Sequence, residues 1–454
     1  MSHTALVHGP AEPIRFPFNG QRPHADFRGE YSPGRLLGRP AGLSKETTRY
    51  LAAATQTNLK YAEDVVDRVQ HERFRALAPA YGADVVVVTK WALAAVHRRD
   101  RRDLILAGLL VLSVLLCWAV QSLLPILFVL AASWLIISWE HWNRIHNTVT
   151  RKMLRDRFTM DGAPDPPATS DRKRLDKVAE RRDGNLVVFS GHSAFIGSGK
   201  HLYRQGLVLD VSRGEEDDDG KPQAPDPFTS GDLHNALISA FGDAGLGDIK
   251  NGLANVFVEE RLFINGLYIQ PDSGLLPSQY EPPPTRVDDQ VLQAATLHPT
   301  PEARTYVCVE MPGWQGQLVV TLFARAVHAG GCLYVEWSFR VLPPLHDEYL
   351  QVDKLYEQPS YRQLRNSLRI GCFGVLPALL ASPYRVLRSY HKLWAAKVKY
   401  SQQAAQINRG CVFDYGALPS IREDACGRRR QHYFLARDEI MYVSLAQKTL
   451  LRTV

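Results

Sequence analysis

Residues 104–139 read LILAGLLVLSVLLCWAVQSLLPILFVLAASWLIISW, and no side chain from Leu104 to Trp139 carries a charge. Buried helices of soluble proteins seldom exceed about 10–14 wholly apolar residues, so a run this long points to a bilayer. As one helix it would be about 54 Å long, against a hydrocarbon core of about 30 Å. Gln121 and Ser122 lie near its middle, with Pro125 just beyond. They divide the run into halves of about seventeen residues, the lower limit for a span. A two-helix transmembrane hairpin over 104–139 follows. Gln121 and Ser122 form its turn, and Pro125 falls in the first turn of the second helix, where a missing N–H costs little.

The flanks agree. Lys90, Arg98, Arg99, Arg101 and Arg102 precede the run, and Arg144, Arg151, Lys152, Arg155 and Arg157 follow it. Cations on both sides put both ends in the cytoplasm, which requires an even number of spans. The sequence therefore predicts a multi-pass protein of the inner (plasma) membrane with both termini cytoplasmic. With 22% charged residues the chain reads as mostly soluble around one membrane element. Its six cysteines are scattered without a CxxC pair, which suits reduced thiols. The N-terminus shows no signal-peptide h-region, so the hairpin is expected to direct its own insertion.

Working outward, residues 1–43 are rich in Pro, Gly, His and Arg without apolar period and read as a disordered cytoplasmic tail. Residues 44–103 form a cytoplasmic helical segment. Ser44 is its expected N-cap, LKYAEDVVDRVQHERFRAL (59–77) is amphipathic, and Asp84 caps a helix entering the membrane. The four valines after Asp84 equally suit a strand. Residues 140–183 read as a basic juxtamembrane helix and linker.

From 184 to 358 the period becomes strand-like, giving a cytoplasmic α+β domain with a largely antiparallel sheet of about seven strands. An acidic loop (214–227) precedes a helix capped by Thr229 or Ser230. Asn265-Gly266 reads as a hairpin turn. Residues 359–454 form a basic, membrane-interfacial helical region. Between Gln358 and Phe413 nine Lys or Arg occur and no acid. Arg362, Arg365 and Arg369 share one helical face. Arg385, Arg388, Lys392 and Lys399 share another, opposite Leu387, Tyr390, Trp394 and Val398. The uncharged, twice proline-broken 370–384 is too short for a span. It reads as interfacial or re-entrant against the inner leaflet, with burial in the soluble domain as the alternative. These seven cations are the candidate membrane-surface residues.

No constellation rises to a reaction. Gly197, Gly199 and Lys200 resemble part of a phosphate loop, but Ala194 stands where the first glycine belongs, His201 replaces the hydroxyl residue, and a strand follows instead of a helix. His141 and His146 miss the i, i+4 metal spacing, and Glu259 and Glu260 point to opposite faces of a strand. No catalytic residue can be named from the sequence, and no cofactor or metal is expected. The expected partners are the bilayer and its anionic inner-leaflet lipids, with an unidentified protein besides. Nucleic acid is set aside because the hairpin holds the basic surface beside a membrane.

The stretches GNLVVFSGHSAFIGSGK (184–200), FDYGALPSIRE (413–423) and YFLARDEIMYVSLAQKTLL (433–451) resemble uncharacterised integral membrane proteins of actinobacteria. The resemblance implies a membrane-anchored cytoplasmic domain and no assigned activity. The leading expectation is a non-enzymatic membrane-anchored scaffold or sensor. The alternatives are a nucleotide-responsive or enzymatic protein using Gly197–Lys200, and a membrane-perturbing effector of a conflict or cell-death system.

Overall fold

The computed structural model describes residues 41–181, 184–212, 214, 227–242, 256–270, 274–356, 360–427 and 433–454. The tail 1–40 and most of the acidic loop lie outside the described residues. Helix α1 (Ala41–Thr57) begins before Ser44, which is therefore not its cap. Helix α2 (Leu59–Val66) is capped by Asn58, whose side chain accepts from Tyr61 N at 3.1 Å. A π-helical turn, Asp67–His71, extends it, and the helix expected to reach residue 77 stops there.

Helix α3 (Val85–Val120) settles the four valines: Asp84 accepts from Val86 N and Val87 N at 2.9 and 3.2 Å, and the helix runs unbroken through them. It ends at Gln121, which is left-handed (φ 54°) and whose amide donates to Trp118 O at 2.6 Å. Helix α4 (Leu124–Trp142) has its proline in the first turn and continues as a π-helical segment, Asn143–Thr150. Helix α5 (Thr169–Glu180) follows. Leu51 and Ala54 of α1, Val65 of α2, Val88 and Trp91 of α3, Val149, Met153 and Leu175 share one buried core.

The remaining elements are β1 (Leu186–Phe189), β2 (Lys200–Asp210), α6 (Ser230–Phe241), β3 (Phe257–Asn265), α7 (Asp289–Leu297), β4 (Ala303–Gly313), β5 (Leu318–Ala329) and β6 (Cys332–Leu342). Helices α8 (Asp347–Leu350), α9 (Val352–Tyr356), α10 (Ser360–Asn408), α11 (Ile421–Asp424) and α12 (Tyr433–Thr453) complete the chain. The sheet has six strands in the order β1-β3-β4-β5-β6-β2. Among the strand pairs of the described residues only β1–β3 is parallel, so the architecture is α+β with a mixed, mostly antiparallel sheet.

Alternation along β4–β6 sends Val307, Leu322 and Phe339 to one face, under Leu237 of α6 and Leu435 and Tyr442 of α12. It sends Phe323 and Tyr306 to the other, where Phe195 stacks on Phe323 at 4.1 Å. Thr229 caps α6 through a reciprocal box with Asp232. Between α6 and the sheet, His234 and Glu260 are buried 2.6 Å apart, and Ala326 N donates to His234 Nε2 at 3.2 Å. That leaves Nδ1 as the donor to the carboxylate.

Two readings change. Asn265-Gly266 is not a β-hairpin: a 3-10 turn, Gly266–Tyr268, follows β3, and β3 pairs with β1 and β4. The glycine serves close approach, since a Cβ there would lie 2.0 Å from Gly416 N. Residues 370–384 are not a broken segment but the middle of the 49-residue α10, with Pro377 and Pro383 inside it.

Candidate membrane interface

Among the described residues three helices are long and apolar enough to cross a membrane: α3, α4 with its π-helical extension, and α10. The first two follow from the uncharged run. Arg102 of α3 donates to Glu140 of α4 at 3.4 Å, and Leu106 and Ile137 share a core beyond that contact. The helices therefore run antiparallel towards the Gln121 turn. The faces they turn outward carry large apolar side chains: Val111, Val114, Leu115, Trp118, Leu127 and Phe128 are all exposed.

Helix α10 packs against both helices of this pair. It starts beside the π-helical segment, where His146 Nδ1 meets Gln363 Oε1 at 3.0 Å and His141 Nδ1 meets Ser367 Oγ at 2.9 Å. The two histidines are five apart, and their partners four. The wider π register aligns the two spacings. Gly371 lies against Ser138 and Trp134 of α4, and Leu379 shares a buried cluster with Leu106, Val129 and Ile137. The helix then returns to charged partners. Arg385 Nε donates to Asp103 at 2.8 Å, and Ser389 Oγ donates to Asp100 at 3.1 Å. Lys392 pairs with Glu63, and Lys399 with Glu72. Both flanks of 370–384 thus meet the level of the Arg102–Glu140 contact, and no α10 hydrogen bond among the described residues reaches the Gln121 turn.

Ion pairing splits the seven candidate cations. Arg385, Lys392 and Lys399 find acids on α3, on α2 and at Glu72 just after the Asp67–His71 turn, so they clamp α10 to the helical layer. Burial raises the pKa of Glu63, but hydrogen bonds from Lys392 and Arg99 outweigh it and hold the carboxyl below its ordinary range. Arg362, Arg365, Arg369 and Arg388 remain exposed. Along the outward side Ile370, Phe373, Leu376, Leu380, Tyr384, Leu387 and Trp394 are exposed at helical spacing. Sequence reasoning missed the acids that hold this helix. Asp100 and Asp103 in the RRDRRD stretch were the available signal, as acids inside a cationic flank.

The glycine loop lies elsewhere. Gly197 and Gly199 have φ of 83° and 85°, and a Cβ on either would stand 2.2 Å from a backbone oxygen, of Pro79 or Val341. Gly197 N donates to Glu423 Oε2 at 3.1 Å, and Lys200 opens β2. The glycines here admit neighbouring backbone, and a carboxylate takes the amide that a phosphate loop would offer. No group of three or more metal-ligating side chains occurs among the described residues.

The chain belongs to the AbeC-like domain family, whose model matches residues 204–454, from within β2 through α12. No curated protein and no solved structure matches it.

Proposed function

We propose that this AbeC-like chain is a membrane-anchored scaffold or sensor. In this reading α3 and α4 are a transmembrane hairpin whose turn, Gln121–Leu123, faces outward. The sheet domain and both termini are cytoplasmic, and α10 is embedded at the inner leaflet without crossing. The observation that carries this reading is one apolar surface, continuous in character over α3, α4 and the outer side of α10, ending at a level of ion pairs. Water gives such a surface no stability, and hydrocarbon does. The exposed Arg362, Arg365, Arg369 and Arg388 add about 1 kcal/mol each towards an anionic leaflet when they lie at its surface. The loop at Gly197–Lys200 lends little to a nucleotide-responsive reading, because its amide is engaged by Glu423.

Reporters fused at either terminus should be active only when they read the cytoplasm, and one inserted at Gln121 only when it reads the outside. Signals on opposite sides for the two termini would make α10 a third span and overturn this topology.

A further inference from the structure

The ion-pair level contains an electrostatic imbalance. Arg98 of α3 and Arg144 of the π-helical segment converge on one residue, Gln56 at the end of α1. Arg98 Nη1 donates to Gln56 Oε1 at 3.0 Å, and Arg144 Nη1 donates to Gln56 O at 3.3 Å. Gln56 is itself fixed: it is 2% exposed, and its amide donates to Trp91 O at 2.8 Å. Both guanidiniums are partly buried, and neither has a carboxylate within ion-pair distance among the described residues. Arg144 Nε is buried without a hydrogen-bond partner. The charges acting on Arg98 are Glu140 and Arg144, and those acting on Arg144 are Glu140 and Arg102.

Glu140, however, already receives Arg102, and Asp103 receives Arg102 and Arg385. Four guanidiniums therefore face two carboxylates, leaving two positive charges uncompensated in a half-buried place. Charges taken out of water are ordinarily paired, because desolvation without a partner costs several kcal/mol. The missing anion must be planar or tetrahedral with several acceptor oxygens, since what is offered is two guanidinium forks.

Arg98 stands six residues before Leu104, and Arg144 five after Trp139. At 1.5 Å per residue these are about 8–9 Å from the ends of the uncharged run, close to the depth of a headgroup layer about 5–8 Å thick. We propose that Arg98 and Arg144, positioned by Gln56, form a binding site for the phosphate of one anionic phospholipid of the inner leaflet. The site rests on the membrane reading above but adds to it a discrete headgroup held at a fixed position. It is distinct from the diffuse attraction of the exposed α10 cations.

The test uses the full chain extracted from membranes in mild detergent. Its melting temperature is followed against added phosphatidylglycerol, phosphatidylcholine or inorganic phosphate, with lipid retention read by native mass spectrometry. Saturable stabilisation by phosphatidylglycerol alone is expected. Arg98→Gln and Arg144→Gln should each weaken it about tenfold, the factor corresponding to 1.4 kcal/mol, while the doubly substituted Arg365→Gln/Arg388→Gln chain keeps it. Arg144→Lys retains the charge but loses the fork, and it should bind between wild type and Arg144→Gln. It also serves if Arg144→Gln does not fold.

Equal stabilisation in wild type and Arg98→Gln, or loss only in the α10 variant, would overturn the site. Saturation by inorganic phosphate without lipid would overturn the lipid as its ligand. Retention of the chain in carbonate-washed membranes separates the two levels. A chain that stays in the membrane but shows no headgroup preference loses only this site, and a chain that washes off loses the membrane reading as well.

Discussion

In the sheet and in the α3–α4 pair, the same residue types are placed in opposite ways. Phe323 and Phe339 in the sheet are 0% exposed, whereas Trp118 and Phe128 on the helices are 78% and 73% exposed. Between α4 and its neighbours the buried side chains include Ser133 and Ser138, small and polar, with hydroxyls that find no hydrogen-bond partner among the described residues. The sheet is organised against water, with large apolar groups inside. The helix pair has the arrangement expected in a medium as apolar as leucine, where small residues bring backbones together and large ones face out. In the membrane reading proposed above, one chain folds against two solvents, and the ion pairs from Lys399 to Arg102 mark where one gives way to the other.

The comparison breaks most visibly in the sheet. Phe323→Ala should cost about 3–5 kcal/mol in equilibrium unfolding, since the ring is fully buried against Phe195. At the boundary, Asp103→Asn removes the carboxylate that holds Arg102 and Arg385. Unfolding in detergent should register about 2 kcal/mol, less than the 3–5 of a fully buried pair because the Arg385 side chain is 31% exposed.

A smaller effect comes from pH at Glu63. Its folded pKa lies below the ordinary 4.5, so the stability it contributes is present above pH 4.5 and is lost as pH falls through the folded value. Melting temperature should therefore fall on acidification through that window less steeply in Glu63→Gln than in the wild type. Equal slopes would remove Glu63 from the clamp. The smallest effect belongs to Phe128→Ala, which should change detergent-phase stability by no more than about 0.5 kcal/mol. A loss as large as that of Phe323→Ala would mean that both regions are built against the same solvent.

Much of this was legible in the sequence. The uncharged run with Gln121, Ser122 and Pro125 at its centre gave the helix pair, and Asp84 and Thr229 marked helix starts through local cap chemistry. The strand pattern of 303–342 was equally plain. What failed depended on contacts distant in sequence. Gly266 looked like a turn because its real constraint, the backbone of Gly416, lies far along the chain. The prolines of α10 looked like breaks, yet Ser382 Oγ donates to Leu379 O at 2.7 Å, the carbonyl that Pro383 leaves without its usual donor. Arg385 Nη2 likewise donates to Ala378 O at 2.7 Å. A serine directly before the second proline was the one local hint. The Arg98–Gln56–Arg144 convergence had no local signal, because it joins three separate elements.

The seam between the first helices and the sheet has a consequence for where the chain can be cut. Arg49 donates to Asp353 at 2.8 Å, Tyr81 receives Arg261 at 2.9 Å, and Gln315 Oε1 receives Arg155 at 2.6 Å. Leu345, Val352 and Ile421 complete the same core as Leu51 and Val88. A polypeptide beginning at residue 204, where the family match begins, would start inside β2 and leave that core without its opposite wall. The span that the family model matches is thus narrower than the span that closes this core, and a fragment shortened to it would emerge from the ribosome as a substrate for proteases.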